Sequence, residues 1–399
     1  MLPTNLRIAF LWLFQVLLAN AVVSSSSGTA LRCIMYLTGQ HVVVPSDPSL
    51  TSDISHVILA FMRSDTFNVD RTPDSFPLFL PVNETRRLFE PDTKIMVAIG
   101  GWGDTRGFEE AASTSHARKR WARQVRAMID HTGADGVDID WEYPGGNRDD
   151  YKLVPNEKRV WEIEAFVSLL EDIRAAIGPE KILSVAVPGL ERDLMAFTAS
   201  TVPRIVSQVD FVNVMTYDLM NRRDSAVTHH SGVDGSRDAL IRYVERGAPP
   251  RKLNLGLGYY VKWFMTQDCD AQQPLGCPTQ LLEDPETGTD TGKTAAFSWH
   301  DEVPHDLAQS FGRAQARGRY FEDGSYGYWD AEEKRWWSFD TPSVIHRKLL
   351  QVMELEQLGG VFAWGLGEDA PKFTHLAATV TGLRDAAKRT THNTSKDEL

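Results

Sequence analysis

Cysteine and blocks of like charge are scarce in the 399-residue chain. Three cysteines are too few for a fold held together by disulfides. Lys and Arg number 42 against 54 Asp and Glu, a formal net charge of −12, and no long basic run occurs. Such a chain lacks the positive field that binds phosphate backbones, so we expect no nucleic-acid partner. The 29 glycines and 20 prolines follow no period, and no internal repeat is present, which excludes collagen-like and low-complexity chains.

Long hydrophobic runs are also rare, and the one at residues 8–23 has the pattern of a signal peptide. Arg7 precedes it, and a run of serines follows. Small residues flank Asn20, so we predict cleavage after Ala21, giving a signal peptide of residues 1–21. A membrane anchor is the alternative, but a span needs roughly 20 residues and this run is shorter. We therefore expect no membrane span.

The last four residues read KDEL, the signal for retrieval to the endoplasmic reticulum. Together with a signal peptide, it predicts residence in the endoplasmic reticulum lumen and the KDEL receptor as a partner, with secretion as the alternative. Asn83 and Asn393 begin N-glycosylation sequons that this route would expose. In an oxidising lumen Cys269 and Cys277 would form a disulfide, whereas Cys33, in an apolar strand, would stay a buried thiol.

Short β-rich runs alternate with amphipathic, charge-rich segments such as residues 118–129 and 159–177. The runs begin near Arg32, Ser55, Lys94, Gly136, Ile182, Val209, Leu253 and Gly359. Repeated β-α units imply a parallel sheet, and eight of them predict an α/β fold, the (β/α)8 TIM barrel. We assign residues 22–385 to this domain and residues 386–399 to a polar C-terminal tail.

The last interval between strands carries roughly 70 more residues than a βα loop needs. We therefore predict a small α+β insertion subdomain at about residues 262–338, between strands 7 and 8. The segment is rich in aromatic residues, including Trp263, Trp329, Trp336 and Trp337. They would form either one wall of a groove or the subdomain's own core.

Three carboxylates follow one another at alternate positions of the fourth strand. Asp138, Asp140 and Glu142 therefore share one face, which in a barrel points to an interior normally filled by Val, Ile and Leu. Burying three acids there costs several kcal/mol unless they share protons. Glu142 lies at the carboxyl end of the strand, where barrel enzymes hold their active sites, and its neighbours would raise its pKa into the range of a general acid. Metal binding, the alternative, would call for histidine or more widely spread oxygen ligands, so we expect no metal and no cofactor.

Residues 135–142, DGVDIDWE, resemble the DxxDxDxE signature of the family 18 glycoside hydrolases, the chitinases and their relatives. The match is complete at Asp135, Asp138, Asp140 and Glu142. Residues 99–102 resemble the family's SxGG element, contributing Gly100 and Gly101. The MTYD motif and a last strand ending in Trp364 also match. The resemblance runs from about residue 33 to 369.

The resemblance implies a retaining mechanism in which the substrate supplies the nucleophile. Glu142 would protonate the glycosidic oxygen, and the carbonyl oxygen of the sugar's 2-acetamido group would attack the anomeric carbon. Asp140 would orient the acetamido N–H, Asp138 would share a proton with Asp140, and Tyr217 would donate to the acetamido oxygen. Asp135, Gly100 and Gly101 would be supporting residues. The residues lining the sugar subsites would be Tyr36, Phe61, Trp102, Met215, Asp218, Tyr260 and, as the floor, Trp364.

Three positions depart from the family pattern. Ala98 replaces the usual Ser of SxGG, Met220 lies where a His-Gly pair usually follows MTYD, and Lys262 replaces an Arg. Lysine keeps the charge but loses the planar fork of donors. The pair His229 and His230 suggests metal binding, but loop histidines more often form ordinary hydrogen bonds.

The implied substrate is a polymer or oligomer of N-acetylglucosamine, and the implied activity is that of a chitinase acting on β-1,4 bonds. One alternative is an endo-β-N-acetylglucosaminidase acting on N-glycans, which would suit KDEL. Another is a sugar-binding lectin, a class that typically loses the acid that Glu142 provides here. We expect a monomer.

Overall fold

The computed structural model describes residues 30–353 and 357–394, with side chains up to residue 389. The predicted signal peptide, the KDEL tetrapeptide and the side chain of Asn393 lie outside the described residues. Within the described part, none of the helices combines the length and apolarity needed to cross a membrane. The predicted limits of the domain, residues 22–385, and the tail stay predictions.

Eight parallel strands form a barrel. They are β1 (Arg32–Thr38), β2 (His56–Met62), β3 (Lys94–Gly100), β4 (Gly136–Asp140), β5 (Ile182–Pro188), β6 (Phe211–Met215), β7 (Leu253–Gly258) and β13 (Gly360–Trp364). The barrel is closed in the order β1-β13-β7-β6-β5-β4-β3-β2, which confirms the predicted TIM-barrel fold. The sixth strand begins two residues later than predicted, because the Val209 N–H still bonds the Ile205 carbonyl at the end of a helix (3.3 Å).

Helices connect the strands, and most of them cover the outside of the barrel. They are α1 (Pro48–Thr51), α2 (Val82–Thr85), α3 (Arg106–Ala112), α4 (Ser115–Thr132), α5 (Trp161–Ile177), α6 (Val202–Gln208), α7 (Val233–Glu245), α8 (Ala308–Arg317), α9 (Pro342–Lys348) and α10 (Thr374–Thr394). Helix α8 belongs instead to the insertion described below. The longest of those before α10 has clear end signals. Thr114 caps the first turn of α4 by accepting from the Ala117 N–H, and Gly133 ends it in a left-handed conformation with φ 74°.

Alternation along each barrel strand separates an outer core from the barrel interior. On β1, Cys33 and Met35 pack outward against the helices, whereas Ile34 and Tyr36 point inward. The same alternation sends Val137 and Ile139 of β4 to the outer core. Asp138 and Asp140 consequently face the interior, as the sequence pattern predicts.

The insertion is an antiparallel sheet with one helix, placed between β7 and β13. Its strands, in the order β10-β11-β12-β8-β9, are β8 (Tyr260–Met265), β9 (Thr294–Ser298), β10 (Arg319–Tyr320), β11 (Tyr326–Asp330) and β12 (Arg335–Ser338), with α8 packed alongside. Trp263, Trp329, Trp336 and Trp337 are buried. Of the two expectations for these aromatics, a core of the subdomain is therefore the one that holds.

The cysteines are placed as the sequence suggests. Cys269 and Cys277 form a disulfide with their Cα atoms 5.6 Å apart. Cys33 is a free, fully buried thiol. Burial raises the pKa of the Cys33 thiol to about 12, so it is an unreactive core residue.

Candidate active site

A groove of about 860 Å³ crosses the carboxyl ends of the barrel strands. Asp140 and Glu142 line its base, together with Tyr217 and Trp364. Asp138 and Tyr36 lie beneath this surface, fully buried in the barrel. The structure thus brings the residues of the four matched motifs together from β3, β4, β6 and β13, at the end of the barrel where this fold carries its active sites.

A chain of hydrogen bonds holds Asp138 across the barrel interior. The Tyr36 hydroxyl donates to Oδ2 of Asp138 (2.8 Å), and the Ser184 hydroxyl donates to Oδ1 (2.6 Å). Tyr36 in turn accepts from the Asn213 amide (2.9 Å), which accepts from the Asn254 amide (2.8 Å). Burial raises the pKa of Asp138 to about 6, although both hydroxyl donors oppose the rise.

Ser184, Asn213 and Asn254 were not singled out by the sequence analysis. Each is a polar residue at an inward position of an otherwise apolar strand, and each is fully buried. That pattern was the available signal, because a buried polar group in such a strand requires a partner. Two of them connect Asp138 to the distant face of the barrel through Tyr36.

Asp140 is also buried, but fewer hydrogen bonds compensate for the cost of burying its carboxyl group. Among the described residues, no hydrogen-bond donor reaches its Oδ1 atom. Burial, and then the nearby charges of Glu142 and Asp138, raise the pKa of Asp140 well above its usual range. A carboxyl group in this condition favours the protonated form and can accept a new donor at Oδ1 when a ligand binds.

Glu142 follows the end of β4 and is half-buried at the base of the groove. Burial raises the pKa of Glu142 to about 7, while a hydrogen bond with the Tyr143 side chain offsets part of the rise. An acid with a pKa near neutrality is suited to giving up and taking back one proton.

Gly100 and Gly101 allow the end of β3 to approach β4 closely. Gly100 has φ 115°, and a Cβ atom there would lie 2.1 Å from the backbone oxygen of Asp140. A Cβ on Gly101 would lie 2.6 Å from the ring of Phe61. The Gly101 N–H donates to the Asp140 carbonyl (2.9 Å), so the two glycines fix the position of β4 where its acids emerge.

Aromatic rings form the floor and one side of the groove. Trp364 is stacked with Phe61, with ring centroids 5.4 Å apart and planes at 23°. Tyr36 supports Trp364 from below at 5.8 Å. Trp102 is 51% exposed, beside Tyr143. Exposed and half-exposed rings of this kind offer flat apolar faces to a ligand.

A charged group stands on the opposite side, at the end of β6. Asp218 accepts from the Tyr260 hydroxyl and from the Lys262 ammonium, each at 2.8 Å. Lys262, the strongest cause after burial, holds the pKa of Asp218 below its usual value. Met215 and Tyr217 lie beside this group in the groove. Lysine at 262 therefore acts as a point charge on one carboxylate oxygen, where arginine would offer two parallel donors.

His230 is buried behind this group, 3.9 Å from Asp218, and burial lowers its pKa well below the usual value. His229 contacts Phe321 and Trp336, and burial lowers its pKa to about 4. Both are neutral interior residues. No cluster of candidate metal ligands occurs in the described part of the chain.

Asp135 and Asn83 lie away from the groove. Asp135 is at the opposite end of β4, where its Oδ2 accepts from the Ile95 N–H (2.7 Å) and pairs with Arg86 (2.9 Å). Asp135 therefore stabilises the pairing of β3 and β4. Asn83 is exposed in the short helix α2, and its glycosylation stays a prediction.

Comparison with known proteins identifies the family. Residues 32–369 match the family described as glycosyl hydrolases family 18. The chain belongs to this family, which confirms the resemblance of the DGVDIDWE segment.

Curated relatives include chitotriosidase-1 of Mus musculus, 26% identical over 81% of this chain and 68% of that protein. Chitinase 63 of Streptomyces plicatus is 26% identical over 79% of this chain and 50% of its own length. The probable chitinase 10 of Drosophila melanogaster is 26% identical over 79% of this chain and 14% of its own length. The chain thus spans half or less of the latter two relatives.

Solved structures have the same fold. A chitinase from Rhizomucor miehei superposes with a TM-score of 0.69 and 17% identity, covering 88% of this chain and 99% of that one. The second catalytic domain of the Group II chitinase of Ostrinia furnacalis gives a TM-score of 0.69 and 22% identity over 89% and 97% of the two chains. At sequence identities of 17% and 22%, the similarity to these two structures shows a shared fold.

Proposed function

We propose that this protein is a chitinase, which hydrolyses β-1,4 bonds between N-acetylglucosamine units with retention at the anomeric carbon. The observation that carries the proposal is the pair Asp140 and Glu142, two acids with raised pKa values at the base of a groove floored by Trp364. The names of the relatives and of the structural neighbours agree with this substrate class.

In the first step Glu142, protonated, gives its proton to the glycosidic oxygen. The C–O bond to the leaving sugar breaks as the acetamido oxygen of the remaining sugar bonds to its anomeric carbon. The resulting oxazolinium ion carries a positive charge near Asp140. The free Oδ1 of Asp140 accepts the acetamido N–H, and the negative charge stabilises the ion.

Two other side chains complete this step. Burial and the charge of Asp140 raise the pKa of Tyr217 well above its usual range, so its hydroxyl keeps its proton and can donate to the acetamido oxygen. Asp138 takes or returns a proton with Asp140, held in place by Ser184 and Tyr36. Its pKa of about 6 suits that exchange.

In the second step Glu142, now ionised, removes a proton from water. The water oxygen bonds to the anomeric carbon on the face that the leaving group vacated, and the bond to the acetamido oxygen breaks. Glu142 is protonated again, so the cycle closes without a covalent bond to the protein. Two inversions at one carbon give net retention.

The test uses N-acetylglucosamine oligomers, with the products identified by mass spectrometry and their anomers by early NMR spectra. We expect β-anomeric products from the wild type, and a fall in kcat of about 10²–10⁴ for Glu142→Gln. The Asp92→Asn variant, an exposed acid outside the groove, is the matched control. Initial α-anomers would contradict the retaining mechanism.

A second candidate is an endo-β-N-acetylglucosaminidase acting on N-glycans in the endoplasmic reticulum lumen. The observation that favours it is the C-terminal KDEL, which together with the N-terminal apolar run supports a lumenal location and recognition by the KDEL receptor. A glycoprotein bearing high-mannose glycans, incubated in parallel, separates the candidates. Glycan release without oligomer cleavage would favour this second candidate over the chitinase proposal. The absence of activity on both substrates would favour a lectin. Secretion of the intact protein as abundantly as a KDEL-deleted form would contradict retention.

A further inference from the structure

The arrangement of the strands indicates which end of the groove holds the leaving group, the part of the substrate that departs when the glycosidic bond is cleaved. β13 and β4 lie on opposite sides of the barrel. The proposed function places the sugar that is attacked over Trp364, at the end of β13. Glu142, at the end of β4, protonates the oxygen beyond that sugar, so the leaving part extends past Glu142 toward the loops that follow β4, β5 and β6.

The loops after β4 and β6 contact the insertion directly, although the insertion follows β4 by more than a hundred residues. The Tyr151 hydroxyl, on the loop after β4, donates to Glu283 of the insertion (2.5 Å). Lys152 pairs with the same carboxylate (2.9 Å) and donates to the Asp284 carbonyl (3.0 Å). Arg223 adds a further contact, described next. We call the group formed by Tyr151, Lys152, Arg223 and Glu283 the loop bridge.

Arg223, on the loop after β6, joins the bridge through the Tyr151 ring. Its guanidinium lies over the Tyr151 ring at 4.0 Å, and it donates to the carbonyls of Asn147 (2.9 Å) and Arg148 (2.7 Å). Asn147 and Arg223 are themselves lining residues of the groove. The bridge is therefore continuous with the groove surface and fixes the loop after β4 against the loop after β6.

The insertion side of the bridge is a tight hairpin. The Asp284 N–H donates to the Thr289 carbonyl (2.8 Å), and Glu283 and Asp290 form an isolated antiparallel β-bridge. Asp290 lines the groove. A Cβ atom on Gly288 would lie 3.3 Å from the Tyr151 ring, so the hairpin tip packs closely on that side chain. The loop after β4 thus meets this hairpin of the insertion.

The two ends of the groove also differ in the surfaces they offer a sugar. The end near β2 has the exposed or half-exposed rings of Phe61 and Phe79, whereas Trp102 lies farther along, beside Tyr143, the residue that follows Glu142. The end under the loop bridge is lined instead by polar and charged side chains, namely Asn147, Asp193, Asn221, Arg222, Arg223 and Asp290. Stacking on aromatic faces gives sugar chains their apolar contacts, so few additional sugar units gain such contacts at the bridged end.

We propose that the loop bridge closes the leaving-group end of the groove and restricts the enzyme to substrates from which a short reducing-end fragment departs. This inference rests on the proposed function and specifies its substrate preference. Tyr151, Glu283 and Arg223 then determine the length of the fragment that can leave. They are distinct from the residues that perform the chemistry.

The test follows the reducing end of an N-acetylglucosamine hexamer labelled there with ¹⁸O. Mass spectrometry of the earliest products shows which fragment carries the label. From the wild type we expect the label mainly in the mono- and disaccharide. In Tyr151→Ala, which removes the ring and the hydroxyl of the bridge, the labelled trisaccharide and longer fragments should rise several-fold.

Two further variants keep the test decisive. Tyr151→Phe retains the ring under Arg223 and loses only the bond to Glu283, so it should fold and shift the pattern in the same direction by less. Tyr320→Ala removes a tyrosine of the insertion that is 44% exposed and contacts Tyr326 and Arg347, so it should leave the pattern unchanged.

Three results would overturn the inference. The first is wild-type label spread evenly up to the tetrasaccharide, and the second is an unchanged pattern in a folded Tyr151→Ala variant. Both leave the chitinase proposal intact, because the hexamer is still cleaved. The third, no cleavage of any oligomer by the wild type, would contradict the proposed function and remove this inference with it.

Discussion

The two ends of β4 carry the same kind of side chain in opposite conditions. At the amino end, Asp135 has a backbone N–H donor, an arginine partner and 27% of its side chain exposed to solvent. At the carboxyl end, Asp140 is buried and one of its oxygens has no donor among the described residues. The first acid is fully compensated by the protein, and the second is left for a ligand to compensate.

This difference shows which end of the barrel is stabilised by its acid and which end is destabilised by an acid that a reaction can use. A compensated carboxylate contributes to the pairing of β3 and β4, which are joined through Asp135. An uncompensated one costs free energy in the unliganded protein and can interact with a positive charge that forms during a reaction. The division follows the general asymmetry of TIM barrels, stability at the amino end and activity at the carboxyl end.

Among variants that test this comparison, the largest effect should come from Asp140→Asn. In the proposed mechanism the neutral amide cannot stabilise the oxazolinium charge, so we expect kcat to fall by about 100-fold or more. The free energy of unfolding should rise, because the variant no longer buries an ionisable group whose pKa is raised in the fold. Steady-state kinetics and thermal unfolding on the same samples measure both.

The stability gain of Asp140→Asn should increase with pH. In the wild type the folded protein holds a proton on Asp140 that the unfolded chain has lost, so the free energy of unfolding falls as the pH rises. Asp135→Asn, measured alongside, should show no gain at any pH. A variant at 140 that is less stable than the wild type at pH 8 would contradict the comparison.

A smaller effect is expected for Ser184→Ala, which removes one donor from Asp138. The loss of a single hydrogen bond to a charged group corresponds to about tenfold in kcat, with KM little changed. The acid limb of the pH profile should move to higher pH, since the lost donor lowers the pKa of Asp138 in the wild type. A purely structural role for Ser184 would leave that limb in place.

Ala98 offers a matched rescue of this variant. In the strand register Ala98 and Ser184 lie on either side of Asp138. A hydroxyl from Ala98→Ser in the Ser184→Ala background should therefore return a donor to Asp138 and recover most of the activity. Ala98→Ser alone should change kcat little, because Asp138 already has two donors.

The smallest effect on activity is expected at the amino end. Asp135→Asn keeps an acceptor for the Ile95 N–H but loses the charge opposite Arg86, so we expect the free energy of unfolding to fall by about 1–2 kcal/mol. Activity on oligomers should stay within about twofold. Denaturant unfolding and kinetics check this, and a large loss of kcat without a loss of stability would place Asp135 in the chemistry.

The barrel was predictable from the sequence because its signals are local. Each strand is a short apolar run followed by a charged, amphipathic segment, and the order of these runs fixes a parallel barrel. The three acids at positions 138, 140 and 142 were equally visible, since alternate residues share a face. The resemblance of residues 135–142 then supplied the roles proposed for them, which local pattern alone did not.

The remaining features depend on contacts between distant residues. The hydrogen bonds from Asn254 to Asn213 and from Asn213 to Tyr36 join three strands across 41 and 177 residues of sequence. The loop bridge links Tyr151 to Glu283 in the same way. Composition did not decide whether the insertion's tryptophans face the groove or a core, because that depends on how its sheet folds over α8. Packing of this kind leaves no periodic trace in the sequence.

The most direct test of the central claim is the pH dependence of kcat/KM on an N-acetylglucosamine oligomer between pH 4 and 9. The account requires Glu142 to be protonated in the free enzyme, and burial raises its pKa to about 7. The rate should therefore fall as the pH rises above about 7, with a basic limb that reports this group. A rate that stays level to pH 9, or a basic limb at the ordinary carboxyl range near pH 4–5, would contradict it.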